Sequence, residues 1–108
     1  MAEILIVNRK EYTGKVGVYI GRPSVLGNPF SVKQHGRGDA LELYKQWLNL
    51  QWKTNNRPVI DELFRLADIL KEHGSLTLIC WCAPAPCHGD LIAKAVKNIV
   101  ENDLKNNA

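Results

Sequence analysis

The sequence predicts an α/β domain: a small Rossmann-like fold of two or three layers, with a mixed or parallel sheet, a central strand near 76–81 and three helices. Three observations predict it. Short apolar, β-branched runs occur both early and late in the chain. Segments of clear helical periodicity separate and follow them, and the two segments richest in Gly, Pro and Cys each come directly after a strand. The 108 residues, 45% hydrophobic and 23% charged, form one domain over 1–108, with a polar tail at 102–108. A chain of this length buries roughly two thirds of its unfolded surface, so one core holds it without disulfides.

Glu3–Val7 and Lys15–Ile20 read as the first two strands, joined across a turn-like Glu11-Tyr12-Thr13-Gly14. Gly21–Gly38 is rich in breakers and has no sustained period, the pattern of a long loop, and Val25, Leu26 and Phe30 within it call for an ordered one. Asp39, with Glu42 three positions on, makes a capping-box pair for a helix at 39–53 that carries Leu41, Tyr44, Trp47 and Leu48 on one face. A second helix at 58–73 opens with Pro58 and closes on Gly74, with Val59, Leu63, Leu66 and Leu70 in its apolar stripe and Ile60, Phe64 and Ala67 beside them. Ser75–Trp81 is apolar throughout, as a central strand buried on both faces would be. The loop Ala83-Pro84-Ala85-Pro86 then leads into a closing helix at 88–101.

Charge and termini narrow the function. Fourteen Lys and Arg against eleven acids leave a net charge of +3, spread along the chain, whereas a non-specific nucleic-acid binder clusters its cations. The charge fits a small anionic ligand, and nucleic acid is not favoured. No apolar run approaches the roughly 18 to 20 residues of a membrane span, and Met1-Ala2-Glu3-Ile4-Leu5 lacks the basic start of a signal peptide. A cytoplasmic protein is expected. All three cysteines lie between Cys80 and Cys87, which is the distribution of a site or of core filler, not of a stapled secreted domain.

The richest constellation is Cys80-Trp81-Cys82-Ala83-Pro84-Ala85-Pro86-Cys87-His88-Gly89-Asp90. Cys87 stands at a helix N-terminus, where the dipole favours a thiolate or a bound phosphate. His88 could stabilise that thiolate or shuttle a proton, and Asp90 could cap the helix, orient a ligand hydroxyl or act as a base. The plainer alternative makes Cys80 and Cys82 core cysteines and Cys87 and Asp90 helix-start residues. A third reading is a small zinc site on Cys80, Cys82, Cys87 and His88, with His35 or Asp90 as outside ligands. The one-residue gap between Cys80 and Cys82 inside a strand speaks against a zinc knuckle. No cofactor is called for.

The second constellation is Gly21-Arg22-Pro23-Ser24-Val25-Leu26-Gly27-Asn28-Pro29-Phe30. Gly27 and Asn28 tolerate left-handed backbone, Pro29 fixes the next turn, and Arg22 offers a planar fork for phosphate or carboxylate. Neither a P-loop nor a dinucleotide fingerprint is present. The alternative is a packed turn with Phe30 in the core. His35-Gly36-Arg37-Gly38 reads as a solvated loop, or a lid with cationic tips. Trp47 and Trp52 are read as core or helix-packing residues, and Trp81 as either core or ligand wall.

Together, Gly21-Arg22-Pro-Ser-x-Leu-Gly-Asn-Pro-Phe30 and Cys80-Trp-Cys-x-Pro-x-x-Cys-His-Gly-Asp90 resemble the bacterial and bacteriophage domain family 4326 over most of the chain. The resemblance implies a compact cytoplasmic α/β protein, often phage-encoded, and brings no catalytic roles with it. The Cys-His step also looks like an uncharacterised family with a Cys-His-Arg motif, where this chain has Gly89 in place of the arginine.

In an open α/β sheet, ligands bind where loops leave the carboxyl ends of strands. The expected site is therefore a crevice between the 21–30 and 82–90 loops that holds a phosphate-bearing or nucleotide-like molecule. Its expected ligand-binding residues are Arg22, Ser24, Gly27, Asn28, Pro29, Phe30, Trp81, Cys82 and Gly89. If the site is catalytic, Cys87, His88 and Asp90 make it a hydrolase or transferase. The rival class is a phage protein that binds a host factor through its surface, with both motifs serving only the fold.

Overall fold

A computed structural model describes the chain except for residues 1, 2, 13, 15, 16, 23, 31, 82–87, 107 and 108, and the side chains of 32, 33, 37 and 103–106. Three strands, β1 (Glu3–Asn8), β2 (Val18–Tyr19) and β3 (Ser75–Cys80), form a sheet in the order β1-β3-β2. Both pairings are parallel, with Ile4 opposite Leu76 and Tyr19 opposite Ile79. The central position expected for the 76–81 strand holds, and the sheet is parallel rather than mixed.

Among the described residues, four helices accompany it: α1 (Val32–His35), α2 (Arg37–Lys53), α3 (Arg57–His73) and α4 (His88–Asn106). The first is an addition to the three that periodicity predicts, a single turn inside the expected loop, too short to show any period. The start of α2 also differs from expectation. Its N-cap is Gly36, at φ 80° and ψ 157°, with no side-chain cap, so Asp39 and Glu42 form no capping box. Gly36 supplies the sharp entry that an L side chain resists, and Asp39 lies in the first turn, facing the helix's positive end. By contrast, α3 follows its sequence signals, with Pro58 in the first turn and Gly74 left-handed at φ 74°, donating its N–H to Leu70 O at 2.8 Å.

Strand alternation decides the layering. Leu76, Leu78 and Cys80 of β3 are buried, and Ile4, Ile6 and Val18 join them against Leu63, Leu66, Leu70, Ile92 and Val96 of α3 and α4. The opposite face carries Leu5, Val7, Thr77 and Ile79, none of them buried, with Leu5 48% exposed. The expectation that β3 is buried on both faces is therefore corrected: among the described residues, its continuous apolar run conceals a two-layer arrangement with one packed face. Phe64 also departs from the α3 stripe. It is 41% exposed and lies against Trp52, with ring centroids 6.1 Å apart. No helix among the described residues is long and apolar enough to cross a membrane.

Candidate functional site

Parallel strands bring all their carboxyl ends to one edge, and here those ends are Asn8, Tyr19 and Cys80. Asn8 closes β1 by donating its Nδ2 hydrogen to Trp81 O at 3.0 Å and accepting the Lys10 N–H on Oδ1 at 2.8 Å. Arg9 N–H donates to Cys80 O at 2.7 Å, and Ile20 N–H to Ile79 O at 3.0 Å. Each chain segment thus leaves the sheet in a fixed direction.

The loop that follows β2 is tied mostly to itself. Ser24 N–H donates to Gly21 O at 2.8 Å, Gly27 N–H donates to Ser24 O at 2.9 Å, and Ser24 Oγ accepts from Leu26 N–H at 3.2 Å. Asn28 Oδ1 accepts the Phe30 N–H at 2.8 Å, an Asx turn, while its Nδ2 reaches Ala40 O at 3.5 Å. Leu26 is fully buried, and its carbonyl accepts the hydroxyl hydrogen of buried Tyr44 at 2.7 Å. Neither Gly27 nor Asn28 adopts the left-handed backbone that both tolerate. Among the described residues, positive φ occurs at Gly36, Asn55 and Gly74. Glycine is needed at 27 for another reason: a Cβ there would stand 2.8 Å from the Arg22 backbone nitrogen. Phe30 is half-buried, edge-on to His35 with centroids 6.1 Å apart, and Pro29 is exposed.

His88, the first residue of α4, crosses to this loop. It is 7% exposed, packs edge-on against Tyr44 at 5.1 Å, and its Nε2 lies 2.8 Å from Ile20 O. Burial lowers its pKa below the ordinary 6.5, opposed by the hydrogen bond to the Ile20 carbonyl, so the ring is held neutral and donates Nε2–H. Gly89 is buried beside it, and Asp90 is exposed in the first turn of α4. Cys80 lies in the core at 0% exposure. The readings placed on Cys82 and Cys87, and with them the four-ligand zinc set, lie outside the described residues.

The second link across this edge is aromatic. Trp81, 51% exposed, donates Nε1–H to the Tyr19 hydroxyl at 2.9 Å, and that hydroxyl donates to Arg22 O at 2.9 Å. The Arg9 guanidinium lies over both rings, 4.9 Å from the Tyr19 centroid and 5.7 Å from that of Trp81. Among the described residues, Arg9, Lys10 and Arg22 form no salt bridge, so three cations without an ion-pair partner stand at or beside this edge. Asn8, Arg9 and Tyr19 were missed by sequence reasoning, because only the parallel register carries them to the end of β3. A wide hollow of about 730 Å³ lies along β2 and the start of α3, but its charges are already satisfied. There Arg65 grips Glu62 at 2.6 and 2.7 Å, and Asp61 accepts from Arg57 at 2.6 Å. Trp47 is half-buried against the core and Tyr44, whereas Trp52 is 49% exposed.

The chain is 29% identical over 104 residues to a protein of Enterobacteria phage T4 named "Uncharacterized 12.4 kDa protein in nrdA-td intergenic region", covering 93% of this chain and 83% of that one. No solved structure matches it. A family model described as a domain of unknown function, DUF4326, matches residues 7–98, a span holding β2, β3 and the loop that follows β2; the protein belongs to that family.

Proposed function

We propose that this phage-related protein binds a phosphate-bearing, nucleotide-like ligand at the carboxyl edge of its sheet, the position that ligands take in Rossmann-like domains. The observation that carries this reading is the cluster of Arg9, Tyr19 and Trp81. A half-exposed indole, fixed by a hydrogen bond and flanked by a guanidinium, offers a planar surface for a base. Unpaired Lys10 and Arg22 stand at the same edge to meet a phosphate. The start of α4 adds its positive dipole end, and His88 fixes that start relative to Ile20.

His88 is then a positioning residue, since its Nε2–H is committed to a backbone carbonyl. Any hydrolase or transferase chemistry falls to Cys87 as nucleophile or to Asp90 as general base, and binding does not depend on it. A thermal-shift titration with nucleoside mono- and triphosphates, nucleotide sugars and inorganic phosphate tests the proposal. The expected result is stabilisation by at least one nucleotide, by an amount that grows with its concentration. Arg22→Ala should weaken that ligand about tenfold to a hundredfold, with the Tm of the free protein almost unchanged, as befits loss of one charge-assisted contact. Indifference to every nucleotide at millimolar concentration overturns the reading.

A further inference from the structure

A second surface lies away from the carboxyl edge, where α2 and α4 run beside one another. Two hollows, of about 260 and 180 Å³, share Leu48, Asn49, Ala95 and Asn98 and so form one groove. Leu48, Leu63 and Ile99 supply buried apolar surface along it, and Leu91 and Ala95 are half-buried. The ends of the groove differ. Trp52 lines one of them, 49% exposed and backed by Phe64, while exposed Lys45 and Lys94 line the other. Neither lysine has a salt-bridge partner among the described residues.

From Lys45 to Trp52 the groove spans about 10 Å of helix, two turns, which is the i, i+3/i+4, i+7 repeat of an amphipathic helix lying in a groove. We propose that this groove docks an amphipathic helix of another protein, with its apolar stripe against Leu48 and Ala95, a large apolar residue against Trp52, and acidic residues beside Lys45 and Lys94. Charge decides the partner's class and orientation. Two unpaired cations at one end select carboxylates there and repel a basic helix. The apolar floor fits leucine-like side chains better than a phosphodiester backbone, and Asn49, Asn98 and Asn102 supply a neutral polar rim. This surface is separate from the nucleotide reading and does not depend on it.

The test uses a fluorescein-labelled amphipathic peptide of about 18 residues, with a leucine stripe and glutamates at one end. A version with lysine in place of glutamate and a scrambled version are its controls, and binding is read by anisotropy and by backbone amide shifts in the full chain. The glutamate peptide should bind and shift amides of α2 and α4, and the controls should bind at least tenfold more weakly. Lys45→Glu with Lys94→Glu, both at exposed positions, should cost the glutamate peptide about tenfold and improve the lysine peptide. Trp52→Ala should weaken both by a similar factor, with the fold verified by circular dichroism. Equal binding of the scrambled peptide overturns the proposal. So do self-association of the chain abolished by Trp52→Ala, and a single-stranded oligonucleotide that displaces the peptide from the groove.

Discussion

The 21–30 loop and the cluster of Arg9, Tyr19 and Trp81 adjoin one another at the carboxyl edge, yet they use their polar groups in opposite ways. In the loop, Ser24 and Asn28 turn back onto neighbouring amides, Leu26 is fully buried, Tyr44 reaches in from α2 to hold the Leu26 carbonyl, and His88 of α4 holds that of Ile20 just before the loop. In the cluster the side chains hold one another, and half of the indole faces solvent. The difference teaches that a motif dense in Gly, Ser and Asn can be framework. Groups free to meet a ligand can lie outside it, on strand ends that sequence spacing does not connect. In Arg22 both uses meet: its carbonyl belongs to the framework and its side chain is exposed.

If that contrast is right, damage to the loop unfolds the protein, and damage to the cluster does not. The largest expected effect is Leu26→Ala, a fully buried side chain inside a hydrogen-bonded turn, which should cost about 2–5 kcal/mol in chemical denaturation. A cost below that of an exposed truncation such as Trp81→Ala would break the comparison. Gly27→Ala comes next, at about 1–3 kcal/mol, because its methyl would press on the Arg22 backbone and the loop must open to admit it. A neutral result would show that the loop yields easily.

The smallest effect is a pH slope. His88 has a folded pKa lowered by burial, so below its ordinary 6.5 the unfolded chain binds a proton that the folded one refuses. Stability should be complete above about pH 6.5, fall as the pH drops below it, and level off once the pH passes the lowered folded value. His88→Gln should flatten that slope in urea titrations across pH 5–8. A slope unchanged in the variant would assign the dependence to other groups and remove His88 from the framework.

Much of the fold was legible in advance. The α3 stripe, Pro58 and Gly74 mark a helix by chemistry that acts within a few residues, and β3 announces itself by a short apolar run after a glycine. Within the candidate site, Trp81 and His88 could be singled out by type and place, but their partners Tyr19 and Ile20 lie 62 and 68 positions away. The entry to α2 departs from the sequence pattern because Gly36 provides through backbone geometry the turn into the helix that Asp39 would provide as a side-chain cap.

By itself, the sequence determined the α/β class, the order of the main elements and the two loops that follow strands, since period, capping and turn chemistry are local properties of the chain. Only the tertiary structure decided that the sheet has one packed face, that Gly27 answers to a close backbone approach, and that Arg9, Tyr19 and Trp81 stack at one edge. Those outcomes depend on strand register and on which face meets the helices, and both are set by contacts between residues far apart in sequence.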